Sequence, residues 1–473
     1  MKTYIKIQTV LALIILGWLS PGCRVSKDVA VPDPELPLAF RNATTADTVS
    51  AATVTWNNFF SDPALTTLIS AALLHNNDLQ VALKNIEAAG LTLKQAKLGN
   101  LPTVGLQAGV VSNRPSDNSL NALSLNQALQ QKHVEDYTLA ATLSWEADIW
   151  GKVRSQKAGA LAAYLGTEEA RKLVQTRIIS DVAKGYYNLL MLDAQLEIAK
   201  RNVRLNDSTL GIIRLQYQSG QVTSLAILQA DAQRLAASEL VPQFERQILI
   251  QENAIQLLAG ANPGSFRHDK LLDAVKIPAQ LSAGLPAALL TYRPDVKLAE
   301  LNLAKANASV GYAKANMYPS LTITAQAGLD AFKASNWFNI PASLFGAAAG
   351  SLVQPLFQQK KLKTQYELAK IGRDQTVIQF RQSVLLAVGE VADAYVGLDK
   401  LKVQQDLASE RTLTLQRATG NAQLLFKNGM ANYLEVITAQ GNVLQSELEV
   451  AGIKKARLDA MVDLYRAAGG GWN

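Results

Sequence analysis

The sequence predicts a mainly α-helical chain with a membrane β-barrel. Two tandem repeats each supply two strands, and a homotrimer closes a 12-stranded barrel (four strands per chain) continued by a long α-helical coiled-coil barrel. Three observations predict this. Long helical patterns meet at a sharp glycine turn, Phe426-Lys427-Asn428-Gly429-Met430-Ala431-Asn432-Tyr433-Leu434-Glu435. The same device stands 209 residues earlier, at Tyr217-Gln218-Ser219-Gly220. In each half, two stretches of apolar–polar alternation interrupt the helices, as half-buried strands do.

The repeat extends beyond the turns. Val182-Ala183 and Tyr186 return as Val391-Ala392 and Tyr395, and Leu258-Ala259-Gly260 returns as Ala467-Ala468-Gly469. Upstream, Asp78 matches Asp295 and Pro102 matches Pro319, at an offset of 217. The 473 residues therefore read as two copies of one plan rather than as a string of unrelated domains. A hydrophobic content of 48% with 18% charge belongs to a folded chain.

Lys2 and Lys6, the apolar run Val10 to Leu19 and then Ser20-Pro21-Gly22 have the order of a secretory signal, residues 1–22. Loss of the two lysines takes the formal net charge from +7 to +5. The remaining charges are scattered, which gives no nucleic-acid footprint. Cys23, the single cysteine, follows the signal directly and cannot form an internal disulfide. Its placement resembles a bacterial lipoprotein signal, although Ser20 and Pro21 depart from the usual residues there; the other reading is an ordinary signal beside a coincidental cysteine. Residues 23–60 read as a lipidated, extended segment rich in Pro and Thr. After residue 22 no run is long and apolar enough for a transmembrane helix.

The first repeat spans residues 61–265. Asp62-Pro63 opens a helical pattern, with aspartate as cap and proline at the first helical position. The pattern runs through Leu65, Leu68, Ala72, Leu79, Leu83 and Ile86 to Asn100-Leu101-Pro102. Val104, Leu106, Ala108 and Val110 then alternate with polar or small residues. After a polar stretch, Asn113 to Asp136, the alternation resumes from Tyr137 to Ile149. Two strands of about ten residues are long enough to cross a bilayer when tilted. A helix from Gly151 to Tyr217 follows, a rod on the order of 100 Å, and Leu225 to Leu258 returns along it. Thr223 or Ser224 restarts that second helix.

The second repeat spans residues 278–473. It contains a helix from Leu285 to Met317, strands Leu321 to Leu329 and Ser343 to Val353, and long helices on either side of Gly429. Asn432 caps the last helix, with Glu435 completing a capping box. Trp145, Trp150, Trp337 and Phe338 stand near the strand ends, as an interfacial girdle or as packing at helix–strand junctions. Four strands cannot close in lipid alone. Two chains give eight, a barrel filled by its own side chains, and three give twelve, with room for a passage.

Nothing points to an enzyme or a metal cofactor. His75, His133 and His268 are far apart and lack ligand spacing, and no nucleophile elbow or phosphate-binding loop is present. Five scattered methionines give no soft-metal path.

The chain resembles the TolC-like outer membrane efflux proteins, particularly their lipidated OprM-like, NodT-type branch. The resemblance is carried by Tyr465-Arg466-Ala467-Ala468-Gly469-Gly470-Gly471-Trp472, by Gln354-Pro355-Leu356-Phe357 and by the two tip segments. It implies a lipid-anchored channel in the cell outer membrane extending into the periplasm, the exit duct of a tripartite efflux system for small molecules such as drugs. It implies a homotrimer, a periplasmic adaptor docking on the hairpin tips (Tyr217, Gly220, Phe426, Gly429), an inner-membrane transporter of RND type, and outer membrane lipid around the barrel. It also places a constricting leucine of the periplasmic gate at Leu434, whose other reading is hairpin packing. Many relatives carry an aspartate where this chain has Thr438; Glu435 is near but on another helical face. The alternatives are a type I protein secretion duct and a non-conducting coiled-coil scaffold on the surface.

The signal yields one prediction. Cys23 is acylated and holds the mature chain to the inner leaflet of the outer membrane. Mass spectrometry of the mature N-terminus should find acylated Cys23 as its first residue; an unmodified N-terminus at another position refutes it.

Overall fold

The computed structural model describes residues 25–33, 36–41, 50–268, 270–277 and 282–472. The predicted signal and Cys23 lie outside the described residues. The chain divides into two compact units: residues 1–31, 88–165 and 301–378 form one, and residues 32–87, 166–300 and 379–473 the other.

The first unit is built on one antiparallel sheet. Its strands are β1 (Thr103–Asn113), β2 (Val134–Glu146), β3 (Ser320–Ala331) and β4 (Leu344–Val353), in that spatial order. The register produces rows of one polarity. Val104, Leu143, Ala325 and Ala348 stand side by side, and the next row on the opposite face is Thr103, Ser144, Thr324 and Ala349. Period-2 alternation thus yields one apolar face and one face of hydroxyl, amide and small side chains. The apolar face is uncovered among the described residues, Leu106 being 80% exposed. Strands β2 to β4 lie within a few residues of their expected bounds. The polar connection between β1 and β2 contains a helix, α3 (Leu120–Leu129), capped by the Ser119 hydroxyl, which alternation could not disclose.

Beside the sheet, residues 25–31 are tied to α6 (Pro294–Ala315). The Asn307 amide accepts from Val29 N at 3.1 Å and donates to Val29 O at 2.8 Å. The ring nitrogen of Trp145 donates to Asn100 O and that of Trp150 to Pro319 O, both at 2.7 Å. Trp150 also stacks on Tyr318 at 4.9 Å. Trp337 lies 5.6 Å from Tyr137 and 5.1 Å from Phe338.

Two helices predicted as continuous are broken. The first splits into α1 (Pro63–His75) and α2 (Asn77–Lys97). Asn76 divides them: its side-chain oxygen accepts from Asp78 N at 2.9 Å, and its amide donates to Leu258 O at 2.9 Å. In the second repeat, Leu285 to Met317 becomes a short helix, Leu289–Tyr292, and then α6. Pro294 forces this break, because the residue before a proline avoids the α region, and Arg293 is extended.

The second unit packs two hairpins. One is α4 (Lys152–Gln218) with α5 (Ser224–Leu258), and the other is α7 (Lys361–Lys427) with α8 (Tyr433–Ala467). Helices α4 and α7 are both 67 residues long, and α5 and α8 both 35, so the duplication holds to the residue. The largest apolar core joins both hairpins to α1 and includes the fully buried Tyr186 and Tyr465. The Tyr186 hydroxyl donates to Asp62 at 2.9 Å, and burial pushes its ionisation well above the usual phenol range. Tyr465 stacks on Phe59 at 4.0 Å and donates to Val54 O at 2.8 Å. Buried Arg293 donates to Asp295, Glu390 and Ala467 O. Each 35-residue helix ends on a left-handed glycine, Gly260 at φ +71° and Gly469 at φ +97°. A β-carbon on either would lie 2.7 Å from a carbonyl carbon, of His75 or of Tyr292 respectively.

Both glycines are therefore required by backbone and by space. Gly260→Ala and Gly469→Ala should each destabilise the folded protein by more than about 2 kcal/mol, from positive-φ strain plus backbone overlap. Gly211→Ala, inside α4 and facing open space, should be neutral or slightly stabilising. Equal thermal midpoints for all three would show that the chain ends do not need these contacts.

Candidate functional site

The two hairpin tips adjoin within the second unit. Helix α4 ends as Gly220 takes φ +74°, with Gln221 N donating to Gln216 O at 2.8 Å. Helix α7 ends in the same way: Gly429 has φ +71°, and Met430 N donates to Leu425 O at 2.8 Å. These are the return bonds that a left-handed residue permits at a helix C-terminus. Neither glycine has an atom within 4 Å of where a β-carbon would sit, so conformation alone demands glycine here. The restarts differ. Asn432 caps α8 by accepting from Glu435 N at 3.1 Å, whereas Thr223 opens α5 without a side-chain cap bond.

A small apolar core holds the tips together: Leu210, Ile213, Ala226, Ala230, Phe426 and Val436, one or two residues from each helix. Phe426, expected among the docking residues, is buried in it, while Tyr217 is exposed. Tyr433 on α8 donates to Gln229 on α5 at 2.7 Å, joining one hairpin to the other.

Helix α8 is two-sided at this end. Val436, Gln440 and Val443 are buried, whereas Leu434, Thr438, Asn442 and Gln445 form an exposed stripe on the other side. Leu434 is 51% exposed. Leu434 and Thr438, four residues apart, share one face. Glu435 is exposed but turned about 100° from Leu434. The stripe from 434 to 445 thus offers an apolar residue followed by uncharged polar ones.

Behind it lies a feature that sequence reasoning missed. Gln440, fully buried, donates to the Thr209 hydroxyl at 2.8 Å, and its backbone oxygen accepts from Asn202 at 3.4 Å. Asn206 donates to the Asn202 side chain at 2.6 Å. Asn202, Asn206 and Thr209 follow helical spacing, the only signal available beforehand; polar residues at that spacing ordinarily mark a solvated face. One further polar cluster lies on the linker between repeats, where His268 Nε2 is 2.7 Å from Asp193. That hydrogen bond holds His268 above its ordinary range against the opposing effect of burial, and burial pushes nearby Glu252 upward. Among the described residues no three His, Cys, Asp or Glu side chains are placed to hold a metal ion.

Comparison with known proteins agrees with this architecture. The family described as outer membrane efflux protein matches residues 68–261 and 285–470, well over half of the chain. The solvent efflux pump outer membrane protein SrpC of Pseudomonas putida is 29% identical over 469 residues, covering 98% of this chain and 97% of that one. The cation efflux system protein CusC of Escherichia coli O6:H1 is 27% identical over 462 residues, covering 95% and 96%. Among solved structures, the open state of the Neisseria gonorrhoeae MtrE outer membrane channel superposes with a TM-score of 0.85 at 25% identity, covering 95% of this chain and 99% of that one.

The tip geometry sets an expectation for hydrogen exchange. Gly220→Val and Gly429→Val each place a branched side chain at positive φ, a cost of roughly 1–2 kcal/mol. Amides in the adjoining turns should then exchange about five- to thirtyfold faster, with the sheet unaffected. Unchanged protection at the tips would show that these turns tolerate a side chain.

Proposed function

The chain belongs to the outer membrane efflux protein family, and from that premise we propose that three copies close one twelve-stranded barrel, the exit duct of a tripartite pump. It is an outer-membrane efflux component. The observation that carries the trimer is the sheet itself: four strands, two free edges and one uncovered apolar face. In hydrocarbon each unpaired edge group costs several kcal/mol, so closure by neighbouring copies is the way out. The apolar rows then face lipid and the hydroxyl and amide rows line the passage, through which molecules pass passively.

By this reading a periplasmic adaptor engages the tips at Gly220 and Gly429, with exposed Tyr217 at the surface and buried Phe426 shaping the turn from within. The adaptor links the duct to an inner-membrane transporter of RND type, which supplies the energy and selects the cargo. Relatives named for solvent and for cation efflux are nearly equally similar, so the cargo is not assigned to this chain. Acylated Cys23 adds a lipid anchor; each buried methylene contributes about 0.8 kcal/mol, so stable anchoring needs more than one chain.

In this reading the periplasmic gate lies at the exposed end of α8. Three-fold symmetry turns each inward side chain into a ring, and a narrow ring of Leu434 blocks ions by dewetting. Thr438, one turn further on the same face, adds no charge. Glu435 contributes only where α8 rotates it towards the axis.

Two measurements test this reading. Mass determination of the cross-linked protein in detergent should give a trimer, and planar-bilayer recording should give a passage of low resting conductance. Leu434→Ala should raise that conductance several-fold, and Thr438→Asp should increase preference for cations. A closed-pore monomer refutes the duct; a folded trimer in which Leu434→Ala changes nothing makes Leu434 a packing residue.

A further inference from the structure

The two repeats leave the sheet in different ways. After β2, Asp148 accepts from the backbone of Val153 and of Arg154, each at 2.9 Å, and so caps α4. Trp150 is folded against Tyr318 and Pro319. After β4, the corresponding turn has neither feature. Leu356 is 92% exposed and Phe357 85% exposed. The base of this turn is fixed, since the Gln354 amide donates to Met317 O at 3.2 Å. Gln359 and Lys360 come after it with φ of +52° and +62°, left-handed values that side-chain-bearing residues seldom adopt. Strain of this kind persists where the surroundings use the shape it gives.

Lys360, Lys361 and Lys363 come next, exposed and without a carboxylate partner among the described residues. They occupy the start of α7, whose first turn has no acidic residue. Cations there oppose the helix dipole. An apolar pair in water and three cations against a dipole, with no carboxylate partner among the described residues, are both unfavourable. Both become favourable against a surface that offers hydrocarbon beside anionic groups.

We propose that the Leu356-Phe357 turn and Lys360, Lys361 and Lys363 form a membrane-interface anchor at the helical end of the barrel. The two apolar side chains enter the bilayer boundary, and the lysines engage phosphates of anionic phospholipids. The proposal rests on the reading of the sheet as a membrane-spanning barrel. Continuity supports it: Leu352, on the apolar face of β4, stands just before the turn. Charge favours lipid over a second copy. Closure of the barrel would bring β4 beside the next copy's β1, and the segment leading into β1 carries exposed Lys94 and Lys97 with no acidic residue from 88 to 113. That neighbour would repel the lysines of the turn. In trimeric form the same collar recurs around the rim.

The test uses full-length protein in vesicles of phosphatidylethanolamine and phosphatidylglycerol at three to one. A spin label is attached at Leu356→Cys in a Cys23→Ser background, and a second protein carries the label at Leu352→Cys. Collision with oxygen should exceed collision with an aqueous nickel chelate at both positions. Water-type accessibility at 352 overturns the barrel reading itself. Lipid at 352 with either water or occlusion from both reagents at 356 leaves the barrel standing and overturns the anchor. For the charges, the triple variant Lys360→Gln, Lys361→Gln, Lys363→Gln is titrated in detergent with phosphatidylglycerol. It should require at least about tenfold more lipid than the parent for the same rise in thermal midpoint, since each surface cation contributes roughly fivefold. An unchanged titration shows that the lysines do not bind the headgroups and overturns their part in the anchor.

Discussion

Backbone amides and carbonyls along the outer edges of β1 and β4 have no strand partner among the described residues, and hydrocarbon supplies none. This constraint sets the division of labour in the molecule. A water-soluble sheet could end in a charged or bulged edge. Here β1 runs through Val104, Leu106 and Val110 without one charged residue, and β4 is as bare, Leu344 to Val353. Edges so free of defence suit the proposed pairing to another copy. Duplication is then an economy: one hairpin-and-helix plan, used twice per chain, yields four strands and two helical hairpins, all related by the same geometry.

The second unit shows how strictly the duplication is kept and where it is relaxed. Helix lengths match to the residue, and both copies close on a left-handed glycine packed against a carbonyl, so geometry is preserved where backbone meets backbone. Side-chain solutions differ. Tyr186 donates to the Asp62 carboxylate, whereas the equivalent Tyr395 hydroxyl accepts from Ala283 N at 2.7 Å. The break between short and long helices is made by the Asn76 side chain in one copy and by Pro294 in the other. A helix can be stopped by removing a donor or by offering a competing cap, and the backbone path that results is the same.

Legibility in the sequence depended on the range of the interaction. Glycine turns, period-2 strands and the 209-residue offset are local or self-referential, and each predicted its element to within a few residues. The break at Asn76 was hidden because half of its reason is a carbonyl 182 residues away, on Leu258. Asn202, Asn206, Thr209 and Gln440 carry no local mark of burial, since nothing local distinguishes a buried amide that has a partner from one in water. Thr223 looked as good a cap as Asn432, but only Asn432 has its side chain on the first-turn backbone. The gate, docking and lipidation residues were placed by resemblance rather than by physics, because their roles depend on partners outside the chain.

The mouth is the place where the two copies most need to differ. Leu225 is the first-repeat counterpart of Leu434 and is 55% exposed, so exposure alone does not choose between them. Their neighbours do. One turn beyond Leu225, Gln229 is held by the Tyr433 hydroxyl of the other hairpin, which fixes that side of α5 against α8. One turn beyond Leu434, Thr438 has no such tie among the described residues, and the exposed stripe continues through Asn442 and Gln445. The proposed ring on the second hairpin uses the face of α8 that lies outside the Tyr433–Gln229 bond. Beyond that ring, the same face presents hydroxyl and amide groups rather than carboxylates.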